Sequence, residues 1–141
     1  MKLWFNLLCR DVAAQFDFYR ALLALPEAQQ ARSPIYRALE TPDFQFGFNA
    51  DPAYDLLGMG GRRPAADAAP TTIAYATFMV DTPAMVDTAA ARTRDLGGQV
   101  LMGPFATYYG QWQAVLADPE GNAFRVAAAV LPAGVSAPEL R

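Results

Sequence analysis

Ala117-Asp118-Pro119-Glu120-Gly121-Asn122-Ala123-Phe124-Arg125-Val126 is the stretch on which the fold is read. Its centre has turn chemistry at each position. Asp118 brings a side-chain acceptor, Pro119 fixes φ, and Gly121 and Asn122 tolerate the left-handed region. Extended apolar runs flank it at residues 112–117 and 123–129. The segment therefore predicts a hairpin.

Upstream, residues 99–102 read as a short strand and residues 72–80 as a longer one. Between them Thr82-Pro83 places a capping side chain before a proline whose missing N–H costs nothing at the first helical position. That helix runs to about residue 96, where Gly97-Gly98 can take a positive φ. The same order begins earlier in the chain. Residues 3–9 read as a strand, and Asp11 is a helix N-cap. Val12, Phe16, Tyr19 and Leu23 recur at helical spacing over residues 12–25, and Pro26 stops the helix. Residues 35–39 and 44–49 follow as extended runs around the Thr41-Pro42-Asp43 turn. The second run alternates strictly, so Phe44, Phe46 and Phe48 share one face, expected to pack on the helix. The repeat offset is 70 or 71 residues; 71 pairs Asp11 with Thr82 as caps. Two similar units, each strand-helix-three strands, are the implied organisation. The reading is one domain over 1–129, with module one at 1–50, a connector rich in Pro and Gly at 51–71, and module two at 72–129. Residues 130–141 read as a loosely attached tail, and part of the connector as a loop folded over a cavity.

Composition narrows the chemistry. The chain has 141 residues, 53% hydrophobic content, a net charge of −3 and no histidine. Imidazole acid–base chemistry, Ser-His-Asp and Cys-His nucleophiles, and histidine metal sites are excluded. Weak acidity argues against nucleic-acid binding. Arg62-Arg63 is the one adjacent basic pair and reads as solvated loop charge. Cys9 is the one cysteine, so no disulfide forms within the chain, and its apolar setting suits a small core residue. The N-terminal stretch lacks the run and cleavage site of a signal peptide. No segment approaches the roughly 18 apolar residues of a membrane span. A cytoplasmic protein is the expectation.

Three stretches resemble the vicinal oxygen chelate superfamily, which includes glyoxalase I, bleomycin-resistance proteins and extradiol dioxygenases. Residues 11–23, an acidic cap followed by Phe18-Tyr19-Arg20 and Leu22-Leu23, are similar to its first helix. Gly97-Gly98-Gln99-Val100 resembles its second helix end and next strand. The 117–126 hairpin resembles its most specific local signature. The likeness spans residues 2–129. It implies an α+β fold of two paired βαβββ modules, whose curved sheets surround a cavity, and a homodimer.

The resemblance also implies where metal-dependent members hold a divalent ion, with His or Glu. Those positions fall on Trp4, on Tyr75 (Ala74 under the other offset), on Arg125, and near Gly47 or Asn49. Indole has no lone pair to offer, and a guanidinium is a permanent cation. None of the four glutamates maps to these positions. A metal-free member with no cofactor is therefore expected.

Alternation places Trp4, Asn6 and Leu8 on one face, Tyr75, Thr77 and Met79 on another, and Ala123, Arg125 and Ala127 on a third. If these faces line the cavity, it holds two aromatic plates, an amide, a hydroxyl and a cation. That suits a planar or aromatic ligand, neutral or anionic, with its polar group on Arg125. Tyr108 and Trp112, in an aromatic segment around Gly110, are the remaining candidate ligand contacts. Each has a plainer reading. Trp4 and Tyr75 fill a core; Arg125 pairs with a carboxylate or reaches solvent; the 105–113 segment packs on a dimer partner. Three functions stay open: metal-independent small-molecule binding, a metal-free enzyme using Tyr75 and Arg125, and a closed dimeric structural module.

Overall fold

Strand β1 (Leu3–Leu8) leads to Asp11, whose carboxylate accepts the Ala14 N–H at 2.9 Å and caps helix α1 (Val12–Leu23). The helix stops short of residue 25. Pro26 disfavours the helical region for Leu25, and Ala24 closes the last turn in the left-handed conformation (φ 53°), its N–H on the Arg20 carbonyl. Strands β2 (Tyr36–Glu40) and β3 (Phe44–Asn49) complete a sheet of order β1-β3-β2, with β1 parallel and β2 antiparallel to β3. The third strand expected after this helix survives only as a bridge. Ala28 N–H bonds Ala38 O and Glu40 N–H bonds Pro26 O, both at 2.9 Å, before a 3₁₀ turn at Gln29–Ala31 turns the backbone away.

One face of this sheet packs on α1. Phe46 and Phe48 are buried, and Tyr19 meets both at ring distances of 4.8 and 5.5 Å, while Phe16 meets Phe48 edge-on. Each such ring contributes roughly 1.5–3 kcal/mol by leaving water. Arg37 lies 3.6 Å over the Phe16 ring. It shares the Glu27 carboxylate with Arg32, which grips both oxygens at 2.8 Å. The Arg32 hydrogen bonds, then those of Arg37, hold the Glu27 carboxyl below its usual range against the opposing pull of desolvation.

The second unit repeats the plan with all four strands. Strand β4 (Ala76–Val80), helix α3 (Pro83–Asp95), β5 (Gln99–Ala106), β6 (Trp112–Ala117) and β7 (Ala123–Ala128) give the order β4-β7-β6-β5. Thr82 stands at the N-cap without a side-chain bond. Gly97 (φ 89°) ends the helix, with Gly98 N–H on the Thr93 carbonyl. Strand β4 starts later than residue 72, because its pairing with β7 begins at Ala76–Phe124 and leaves 72–75 without a strand partner among the described residues. Strand β5 runs past residue 102 and through Pro104. It is the sheet edge, where a proline's missing donor is tolerated, and two register shifts absorb the irregularity. In the hairpin, Asp118 Oδ1 accepts the Glu120 and Asn122 backbone N–H groups at 3.0 Å, and Gly121 has φ 89°.

The computed structural model describes residues 1–139. They form two compact units, 1–69 and 70 onward. The connector is ordered. Helix α2 (Pro52–Leu56) and a 3₁₀ turn, Gly60–Arg62, belong to the first unit. Arg63 is not a loose solvated charge: it bonds Asp51 and Asp55 at 2.8 and 2.7 Å and lies over Tyr54. The expected tail carries no strand or helix over 129–139; residues 140–141 lie outside the described residues. No helix among the described residues is long and apolar enough to cross a membrane.

Candidate functional site

Strand pairing sets the chemistry of each sheet's helix-free face. In the first unit, Trp4, Asn6 and Leu8 pair with Gln45, Gly47 and Asn49, and Tyr36 stands opposite Asn49. These side chains oppose the Phe46 and Phe48 face. Trp4, Asn6, Leu8, Tyr36 and Asn49 line a pocket of about 260 Å³, with Leu57 and Met59 of the connector forming another wall. Tyr36 Oη lies 2.7 Å from Gln45 Oε1 and 3.3 Å from Asn6 Oδ1. Desolvation, then the charge of Glu40, pushes the Tyr36 phenol above its ordinary value, so it keeps its proton at neutral pH. Gly47 leaves room for its neighbours: an added Cβ would meet Asn6 Oδ1 and the Tyr36 ring, whose Cε2 would be 2.7 Å away, so those side chains would have to shift.

In the second unit, Thr77 pairs with Arg125, and Gln113 stands opposite Ala127. Arg125 Nε donates to Thr77 Oγ1 at 3.1 Å, while Nη1 donates to Gln113 Oε1 at 3.0 Å and Tyr109 Oη at 3.1 Å. Tyr109 passes its own proton to Gln113 Oε1 at 3.1 Å. The Tyr75 ring stands 5.5 Å from the guanidinium carbon. Among the described residues no carboxylate pairs with Arg125, and Nη2 has no partner. The positive charge is oriented by neutral oxygens and left uncompensated.

The expected site residues thus divide. Trp4 and Asn6 share the first unit's pocket; Tyr75, Thr77 and Arg125 form one cluster in the second. Trp112 lies away from that cluster. Alternation puts it with buried Ala114 and Leu116 on the helix side, and its indole N–H donates to Asp87 of α3 at 2.8 Å. Tyr108 is exposed and meets Tyr109 edge-on at 4.9 Å. Tyr109, not Tyr108, reaches Arg125, from the loop that turns at Gly110 (φ 83°) between β5 and β6. Tyr36 and Gln113 are contacts that the sequence reading did not single out; Asn49 entered it only as one of two metal-ligand positions implied for the first module, and Tyr109 only within the aromatic segment around Gly110. Alternation from a known register would have found the first three.

The family model for the glyoxalase-like domain matches residues 3–127. The chain belongs to the glyoxalase-like domain family. A glyoxalase/bleomycin resistance protein/dioxygenase family enzyme from Burkholderia phytofirmans PsJN is 34% identical, with 90% of this chain and 97% of that one covered and a TM-score of 0.82. A glyoxalase-related enzyme from Fulvimarina pelagi (21% identity, 91% and 87% covered, TM-score 0.73) and a lactoylglutathione lyase from Agrobacterium tumefaciens (19%, 91% and 92%, 0.63) share the fold. No curated protein matches the chain.

In this glyoxalase-like chain the caps Asp11 and Thr82 select the offset of 71, which makes Tyr75 the counterpart of Trp4 and Thr77 that of Asn6. Through the strand registers, Gly47 is then the counterpart of Arg125. The four positions where metal-dependent relatives are expected to place ligands carry Trp4, Gly47, Tyr75 and Arg125. An indole, a bare backbone, a phenol and a cation do not fit a divalent ion.

Proposed function

We propose that this chain binds a small planar molecule without a metal ion, the ligand's carboxylate or carbonyl group meeting Arg125. The observation that carries this reading is the orientation of the Arg125 guanidinium by Thr77, Tyr109 and Gln113 with no counter-charge. A cation held rigidly by neutral acceptors, with Nη2 open, is poised for a charge-assisted hydrogen bond. Tyr75 supplies an aromatic surface beside it. A homodimer remains part of this reading, and sedimentation velocity tests it.

Calorimetric titration with aromatic carboxylates and their uncharged amides tests the site. The carboxylates are expected to bind more tightly, to lose at least about tenfold in Arg125→Ala, and to bind equally with or without chelator. Binding that vanishes on chelation and returns with a divalent ion would overturn the metal-free reading. Should a bound compound turn over, Tyr109 is the phenol placed to donate a proton, since its oxygen contacts Arg125. Tyr109→Phe would then abolish turnover and spare most of the binding.

A further inference from the structure

A guanidinium donates and never accepts, so Arg125 decides how its neighbours present themselves. Its Nη1 lies 3.0 Å from the end of the Gln113 side chain, where only the amide oxygen can meet it. The Gln113 NH₂ is thereby turned away from Nη1. The Tyr109 hydroxyl gives its proton to that same Gln113 oxygen at 3.1 Å and accepts from Nη1 at 3.1 Å. Thr77 Oγ1 takes the Nε proton. Nε and Nη1 are thus engaged by uncharged oxygens, and Nη2 is the open nitrogen. Gln113 differs from the other two partners in its setting. It stands on β6, between β5 and β7, and is 6% exposed, whereas Tyr109 is 48% exposed on its loop. Water screens a charge poorly at a buried position, so the charge of this one side chain weighs heavily on Arg125.

We propose that Gln113 determines the charge of the ligand. It accepts from Arg125 as a neutral amide in the place where a carboxylate would pair with the cation, and so reserves the positive charge for an anion at Nη2. This rests on the Arg125 reading above and deepens it. Glutamine and glutamate have nearly the same shape, and the exchange replaces an NH₂ by a charged oxygen. A carboxylate here would keep both accepted hydrogen bonds and neutralise the guanidinium from within the sheet. Thr77 has no acidic counterpart of its own shape. Gln113 is a positioning residue, because its oxygen faces Arg125 and acts on the ligand through it. The engaged nitrogens also limit the contact. A carboxylate gripped through Nε and Nη2 together would have to displace Thr77, so the ligand presents one anionic oxygen to Nη2.

Benzoate and benzamide share a ring and differ in charge. Each is titrated calorimetrically into the unaltered protein, Gln113→Glu and Gln113→Met, with urea melts to establish that each variant is folded. The unaltered protein is expected to favour benzoate at least about tenfold, the scale of a hydrogen bond to a charged group. Gln113→Glu is expected to bring the two affinities within about threefold by weakening benzoate, and to leave benzamide within about twofold of its original affinity. Gln113→Met removes the acceptor without adding a charge, and benzoate is expected to remain the preferred ligand. Should Gln113→Glu fail to fold, Gln113→Met decides alone. A preference for benzoate that survives in folded Gln113→Glu, or that disappears in Gln113→Met, would overturn the role of Gln113 and leave the Arg125 site standing. Equal affinities in the unaltered protein would overturn the Arg125 reading itself.

Discussion

Position for position, the two modules put opposite chemistry on the same scaffold. Where the second module holds Arg125 among Thr77, Gln113 and Tyr109, the first holds bare Gly47 under the Tyr36 ring, beside Asn6 and Asn49. Parallel pairing of first and last strands places the residues identically in both. The difference lies in the side chains alone: one face is a cation without a counter-ion, the other a neutral polar pocket walled by Trp4. Repetition of a βαβββ plan therefore fixes where chemistry is displayed but leaves its sign free.

The largest effect is expected where the first module has no room. Gly47→Ala pushes a methyl group into the Tyr36 ring and Asn6 within a packed strand, and should destabilise the protein by about 3 kcal/mol. Adding Tyr36→Ala opens the space, so the double variant should lose less than the two single changes summed. Strict additivity in urea denaturation would mean that Tyr36 swings aside and does not define this face.

Next comes the edge of the first sheet. The second module covers its corresponding edge with an eight-residue strand, β5. Among the described residues the first has isolated bridges there, Ser33–Tyr36 and Glu27–Leu39, the second reinforced by two arginines on one carboxylate. Glu27→Gln should cost about 2 kcal/mol near neutral pH, the scale of hydrogen bonds to a charged group. The folded pKa is depressed. The contribution is therefore present above the unfolded value of 4.5 and is lost as pH falls through the folded value. The stability gap between wild type and variant should narrow on acidification below about pH 4.5. A gap that stays constant down to pH 3 would show that charge is not what holds this edge.

The helix caps, the 117–126 hairpin and the Trp4-Asn6-Leu8 face were legible because each depends on local chemistry: a capping side chain, a turn, a period of two. What was not legible depends on partners distant in sequence. Residues 72–75 have strand-like composition but no strand partner among the described residues, and 26–28 form a bridge only because Leu39 lies beside them. Tyr36 acquires its place from the β2–β3 register, and Tyr109 from the loop that turns at Gly110 between β5 and β6. Arg125 was found by motif, but its three neutral partners come from three separate segments.

Trp112 tests which face of β6 its side chain takes. With its indole N–H on Asp87, Trp112→Phe should cost about 1 kcal/mol through the lost hydrogen bond, and should leave the affinity of an aromatic carboxylate for the Arg125 face unaltered. A large drop in that affinity, with stability unchanged, would place the indole on the opposite face of the sheet from the one described.

The smallest effects compare the two helix starts. Asp11 and Thr82 occupy equivalent N-cap positions, both with extended backbone, but only Asp11 places a side-chain oxygen on a backbone N–H. The first helix opens with Val12 and relies on that acceptor. The second opens with Pro83, which has no N–H to satisfy and is already restricted to a helical φ, so less is left for a cap to do. Asp11→Ala should therefore cost about 1 kcal/mol and Thr82→Ala only a few tenths. Equal losses in thermal or urea melts would mean that proline does not substitute for a side-chain cap here. The contrast between the two helix starts would then have to be sought elsewhere in their first turns.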